Sequence, residues 1–212
     1  MVITGITRKR SRKPRYVVRL DDSESLEITE ETLQKFGLRT GDTLDPATLA
    51  KIEETDATAS ARTVAINYLS YRPRSSKEVQ DHLVRKGINA DIAQRVVQRL
   101  CELRLVDDVE FARMFLRDRL KRGRSGEILL RQQLLAKGIA RAVADRVLDE
   151  NVSARDMQDT AVALARKRLA RERKPHRRPA TDMERERLYQ YLLRRGFSSD
   201  IARQTVRSLF PA

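Results

Sequence analysis

The chain has 212 residues, of which 40% are apolar but only 5% aromatic, with no Trp, so any core must be built from Leu, Val, Ile and Ala. With 8 Gly and 6 Pro there is little material for a turn-rich β fold. Against 30 Asp and Glu stand 44 Lys and Arg, a formal net charge of +14 that favours a polyanionic partner, either nucleic acid or an acidic protein surface.

The N-terminal stretch MVITGITRKRSRKPR has no long apolar run of the secretory type, and no later stretch approaches the ~18 apolar residues of a membrane span. A cytoplasmic protein with no membrane partner is the expectation. Val2 to Ile6 and Tyr16 to Leu20 are rich in β-branched residues and predict strands. Asp21-Asp22-Ser23 supplies a turn, and Leu26-Glu27-Ile28 a short returning strand. Between the first two strands, Arg8 to Arg15 holds six basic residues and no acid, which suits either a solvated loop or a phosphate-contacting finger. Thr29 then caps a helix with Glu30 and Glu31 in its first turn, and Gly37 closes it. Thr40-Gly41-Asp42 is a turn. Asp45-Pro46 is a second start, with Asp at the cap and Pro at the first helical position. From there the chain reads helical to Arg72, with a possible break around Asp56 to Ser60.

The rest is an internal repeat. LVRKGI (Leu83 to Ile88), LLAKGI (Leu134 to Ile139) and LLRRGF (Leu192 to Phe197) each place a Leu four residues before a Gly. Five residues after the Gly come Ile92, Val143 and Ile201; six after come Ala93, Ala144 and Ala202; ten after come Val97, Leu148 and Val206. These offsets trace one face of a helix. Each Gly should close a helix in the left-handed conformation, after which residues such as Asn89, Arg141 and Ser198 turn the chain into a second amphipathic helix. Such a corner cannot bury its apolar face alone. A further helix precedes it in each copy, over Arg62 to Tyr71, Val109 to Arg122 and Asp159 to Arg173. The glycines lie 51 and 58 residues apart, room for three helices per unit.

Ser75-Ser76-Lys77-Glu78 and Thr181-Asp182-Met183-Glu184 read as capping boxes. Gly123 and Ser125-Gly126 break the chain before Ile128, and the prolines and basic cluster of Arg171 to Pro179 predict a loop. The resulting organisation is a small β-containing cap over 1–56 and three-helix units over 57–106, 107–156 and 157–212. Residues 1–56, 57–108, 109–156 and 157–212 carry net charges of −1, +3, +4 and +8, so the positive excess rises toward the C-terminus.

No phosphate-binding glycine loop and no dinucleotide fingerprint occurs. His82 and His176 fall in different units without partners at metal-ligand spacing. Asp107-Asp108 precedes a helix and is explained by capping. Cys101, beside Leu100 and Leu103, reads as a buried small hydrophobe, and a lone Cys excludes an intrachain disulfide framework. The expectation is a non-enzymatic binding protein with no catalytic residue, metal, cofactor or small-molecule substrate.

Several of these stretches resemble one family. YLSYRPRSSKEVQDHLVRKG (Tyr68 to Gly87) is similar to the first-repeat signature of RecX proteins. LRLVDDVEFARMFLRDRLKRG (Leu103 to Gly123) resembles that family's most specific segment through Leu105, Asp107, Asp108, Phe111 and Ala112. LLRQQLLAKGI (Leu129 to Ile139) is similar to the second-repeat helix, with Gln133 where the family usually carries Glu. The resemblance covers nearly the whole chain and is weaker in the third unit. It implies a mainly α fold of three tandem three-helix repeats in an elongated curved array. It also implies a regulator that binds the RecA recombinase filament and modulates its ATPase, strand-exchange and co-protease activities.

The candidate partner-binding residues are Arg72, Arg74, Lys77, Arg85 and Lys86 in the first unit, and Arg113, Arg117, Lys121, Arg122, Arg124 and Arg131 in the second. Their ribbon of charge could meet acidic RecA surface, single- or double-stranded DNA, or both. The same helical corners would also suit a sequence-nonspecific DNA-binding protein of tandem helix-turn-helix-like units.

Overall fold

A computed structural model describes residues 1–10, 14–21, 24–172 and 182–210. The chain divides into two compact units, Met1–Val106 and Asp107–Ala212.

The first unit opens with an antiparallel meander of β1 (Ile3–Lys9), β2 (Arg15–Leu20) and β3 (Ser25–Thr29) in the order β1-β2-β3. Ile6 pairs with Val18, and Val18 with Leu26. Val2 lies outside the strand and forms an isolated bridge with Thr43. The basic connector is therefore partly sheet: Lys9 reaches Glu27 at 2.8 Å across the strands, and Arg15 begins β2. The expected turn residues Asp22 and Ser23 lie outside the described residues. Ile3, Val18, Leu20 and Ile28 bury one sheet face with Leu38, Leu44 and Ile52.

Helix α1 (Glu30–Phe36) starts at Thr29, whose hydroxyl accepts from Thr32 N–H, and ends at Gly37 with φ 59°. Helix α2 runs unbroken over Pro46–Leu69, so the break expected at Asp56 to Ser60 does not occur. The weak helix formers there are held by specific bonds. Asp56 is buried and accepts from Thr29 N–H at 2.6 Å, from the Thr32 hydroxyl at 3.1 Å and from the Arg15 guanidinium at 3.3 Å. Thr58 and Thr63 donate back to the carbonyls of Glu54 and Ala59. One helix thus serves both the sheet and the first helical repeat.

That repeat comprises the C-terminal half of α2 with α3 (Ser76–Arg85) and α4 (Ala90–Glu102). Its core is Ala61, Ala65, Val79, Leu83, Ala93, Val96, Val97, Leu100 and Val106. In the second unit, α5 (Asp108–Arg122), α6 (Glu127–Ala136) and α7 (Arg141–Asn151) form one repeat. Helices α8 (Ala154–Glu172), α9 (Asp182–Arg194) and α10 (Ser199–Leu209) form another. Leu120 and Val152 pack against the cores of both. The described chain is mainly α, with ten helices and one small sheet.

The three corners are copies of one another. Gly87, Gly138 and Gly196 have φ of 82°, 82° and 81°. Their N–H groups bond the carbonyls of Val84, Leu135 and Leu193, each at 2.9 Å. The following residues, Ile88, Ile139 and Phe197, bond back to Leu83, Leu134 and Leu192 at 3.1–3.2 Å. This is the Schellman arrangement, in which the residue after the Gly also packs on the residue it bonds. Leu83, Leu134 and Leu192 are fully buried, each burial contributing about 1.5–3 kcal/mol. Helices α4 and α10 then start at Asn89 and Ser198, which accept from Asp91 and Ile201 N–H, while α7 starts at Ala140 with no side-chain cap. Arg141, read as a turn residue, is the first residue of α7.

Ser75 caps α3 by accepting from Glu78 N–H at 3.1 Å, and Asp107 caps α5 by accepting from Val109 and Glu110. Gly123 ends α5 at φ 55°, and Gly126 precedes α6. Arg171 belongs to α8; the expected loop beyond it through Pro179, His176 within it and Thr181 lie outside the described residues. Cys101 corrects the sequence reading: it is exposed, as is Leu103. The buried stripe of α4 is Ala93, Val96, Val97 and Leu100, and the next residue is rotated about 100° away from it.

Gly87→Val and Gly138→Val should each destabilise by about 1–2 kcal/mol, read as a lower midpoint in urea unfolding, because L-residues avoid φ near 80°. Asp56→Ala should lose about 1–3 kcal/mol in the same assay by stranding the buried donors of Thr29 and Thr32.

Candidate interaction surface

The predicted basic residues are on the surface, but most are already partnered. Arg72 holds Glu78 at 3.2 Å, and Lys77 holds Asp81 at 3.2 Å one turn along α3. Arg85 donates to the Asp81 carbonyl, and Lys86 is the last residue before Gly87. Arg113 pairs with Glu150 at 3.1 Å and Arg117 with Glu110 at 3.4 Å. Exposed pairs of this kind contribute about 0–1 kcal/mol each and open readily toward a partner. Lys121, Arg122 and Arg124 follow at the end of α5 and just past it, with Arg122 bonded to Asp118 at 2.9 Å.

Arg131 differs from the others. It bonds Asp145 at 2.6 Å and Glu127 at 2.8 Å, tying α6 to α7. The hydrogen bond to Asp145, opposed by desolvation and helped by Glu127, holds its guanidinium above the usual arginine range. Its place in the structure is that of an internal tie.

Arg74 lies 4.0 Å from the centroid of the Tyr68 ring, and the His82 ring stacks on Tyr68 at 3.8 Å with only 1° between planes. Both cannot share one face at those distances, so the tyrosine is sandwiched. The layering joins α2 to the turn before α3 and to α3 itself. Burial, then the charges of Lys86, Arg85 and Arg74, push the His82 pKa down from its ordinary value near 6.5. His82 is thus structural.

Sequence reasoning missed two features. Tyr71 is 83% exposed just past α2 and next to Arg72, where an aromatic side chain can anchor a protein partner. The second is a basic groove of about 610 Å³ in the second unit, where Arg122 and Arg124 meet Lys167, Arg168 and Arg171 of α8 and Arg195 after α9. Its traces in the sequence were Arg122 and Arg124, already among the candidates, and the rise of net charge toward the C-terminus. Among the described residues no group of three His, Cys, Asp or Glu side chains could hold a metal ion, and no helix is long and apolar enough to cross a membrane.

Repeated three-helix modules carrying charge on their outer faces define a helical-repeat protein. The chain belongs to the RecX family. Residues 61–100 match the first three-helix domain of RecX, 107–148 the second and 155–206 the third. A regulatory protein RecX from Lactobacillus delbrueckii subsp. bulgaricus is 32% identical over 211 residues, covering 99% of this chain and 75% of that protein. Another from Listeria innocua is 28% identical over 203 residues, covering 96% and 74%. A crystal structure of regulatory protein RecX superposes with a TM-score of 0.76 at 25% identity, covering 98% of each chain. RecX from Lactobacillus salivarius gives a TM-score of 0.64 at 27% identity, covering 73% of this chain and 97% of that one.

The His82 shift has a defined sign. Above about pH 6.5 the neutral ring contributes its full stability; below it the unfolded chain binds the proton more readily, so stability falls until the depressed folded-state pKa is passed. His82→Phe, which keeps the stack, should lose less stability than the wild type between about pH 7 and pH 5 in parallel thermal melts.

Proposed function

We propose that this protein binds the assembled RecA filament and restrains its ATPase, strand-exchange and co-protease activities during DNA repair and recombination in the cytoplasm. The observation that carries the reading is the match of all three helical domains to RecX, a family of regulatory proteins. The surface is compatible with it. Rim arginines such as Arg72, Arg85, Arg113 and Arg117 tune encounter rate and salt dependence, while apolar anchors supply the larger part of binding free energy. Tyr71 is such an anchor, placed beside Arg72. Helical repeats bind through extended faces and need no deep pocket.

RecA's DNA-dependent ATPase, titrated with substoichiometric amounts of the protein, should fall, and filaments should shorten in electron micrographs. Tyr71→Ala should weaken inhibition by about tenfold, whereas Arg72→Ala should change it by no more than about fivefold. Unchanged ATPase and filament length at low salt, together with tight and salt-steep binding to bare duplex DNA, would replace this reading with that of a nonspecific DNA-binding protein.

A further inference from the structure

The groove of the second unit gathers charge of one sign. Among the described residues its lining holds six cations, Arg122, Arg124, Lys167, Arg168, Arg171 and Arg195, and no carboxylate. Arg122 is held from outside the groove by Asp118 at 2.9 Å, much as Arg95 is held by Glu54 and Arg113 by Glu150 elsewhere. Convergent like charges raise the local potential and draw a multiply charged anion into the space between them.

Two features show that the groove is built. Tyr191 orders it from the floor: the Arg168 guanidinium lies 4.2 Å from its ring centroid and that of Arg195 5.3 Å. A guanidinium held over an aromatic ring keeps its full charge, and its planar donors match the oxygens of a phosphate. Beneath the groove, the loop before α6 is locked to the corner after α9. Gly126 N–H donates to Arg195 O at 2.8 Å, and Ile128 N–H to Gly196 O at 3.0 Å. There is no space for a side chain at this lock, since a Cβ on Gly126 would lie 2.3 Å from Gly196 O. The lock fixes Arg122 and Arg124 of the second repeat opposite Arg195 of the third.

We infer that this groove binds a chain of consecutive phosphates, with its cations drawn jointly from the second and third repeats. An acidic peptide fits less well. Protein contacts draw their strength from apolar and aromatic anchors. Here, among the described residues, the apolar lining is Ala163 and Leu164, and the aromatic ring of Tyr191 lies under a guanidinium. Phosphate binding gains its free energy from counterion release and needs neither. The covered ring also leaves no stacking platform for bases, so recognition is of phosphate and blind to sequence. A phosphodiester strand and a free phosphoanhydride chain share this chemistry.

The test uses the full chain without any recombinase, so its outcome is separable from the RecA reading. Labelled oligothymidylate is followed by fluorescence anisotropy and sodium tripolyphosphate by calorimetry. The triple variant R124Q/K167Q/R171Q should lose about tenfold or more in affinity, and its log–log salt slope for the oligonucleotide should flatten by about two. The matched triple R99Q/R203Q/R207Q, which removes equal charge outside the groove, should stay within about threefold of wild type. Gly126→Ala keeps all six cations but breaks the lock, and should also weaken binding; circular dichroism checks that each variant is folded. Loss for both probes marks a general phosphate-chain site, and loss for the oligonucleotide alone marks a phosphodiester site. Equal losses in the two triples would overturn the proposal in favour of bulk charge. Equal competition by a polyglutamate peptide of matched charge would overturn it in favour of an acidic protein surface.

Discussion

A single backbone conformation, the left-handed glycine that follows each middle helix, is the constraint on which every repeat depends. Gly87, Gly138 and Gly196 adopt φ values within a degree of one another and satisfy the last carbonyls of their helices through the same bonds. The turn they make brings the residue behind the Gly onto the buried Leu that precedes it by four. Were any of the three to continue as helix, the apolar faces of α4, α7 or α10 would have nothing to close against. The third corner carries a second duty, since the carbonyls of Arg195 and Gly196 receive the start of α6. Here a chain-reversal device also joins two repeats.

Much of this was legible in the sequence because glycine, capping residues and apolar periodicity are local signals. The corners, the caps at Thr29, Asp45, Ser75 and Asp107, and the meander all rest on residues close in the chain. What was not legible rests on distant partners. The continuity of α2 depends on Asp56, whose donors come from β2, β3 and α1. A run of Asp, Thr and Ser reads as a break until those partners are in place. Cys101 was misjudged for a smaller reason: one residue of phase separates it from the buried stripe. Arg104, at φ 54°, takes at the end of α4 the conformation that glycine takes elsewhere, and nothing in its identity announces this.

The surface divides in the same way. Spacing along one helix identified exposed basic residues, but not which are occupied. Arg131 looked like a contact residue and is committed to Asp145 and Glu127. Conversely, Arg168 and Arg195 meet at Tyr191 although they belong to segments far apart in the chain. Net charge measured how much positive potential was available; only the packing of α8 against α9 and the α5–α6 loop determined where it accumulates.

The unbroken α2 makes the sheet and the first repeat a single mechanical body. A helix of 24 residues is bolted near its middle, through Asp56, to β2 and β3, and its C-terminal half packs against α3 and α4. Torque applied at the sheet is therefore delivered to the first glycine corner with little loss, and the two parts should yield together under force. The apparent seam between sheet and repeat thus runs through the middle of a strut.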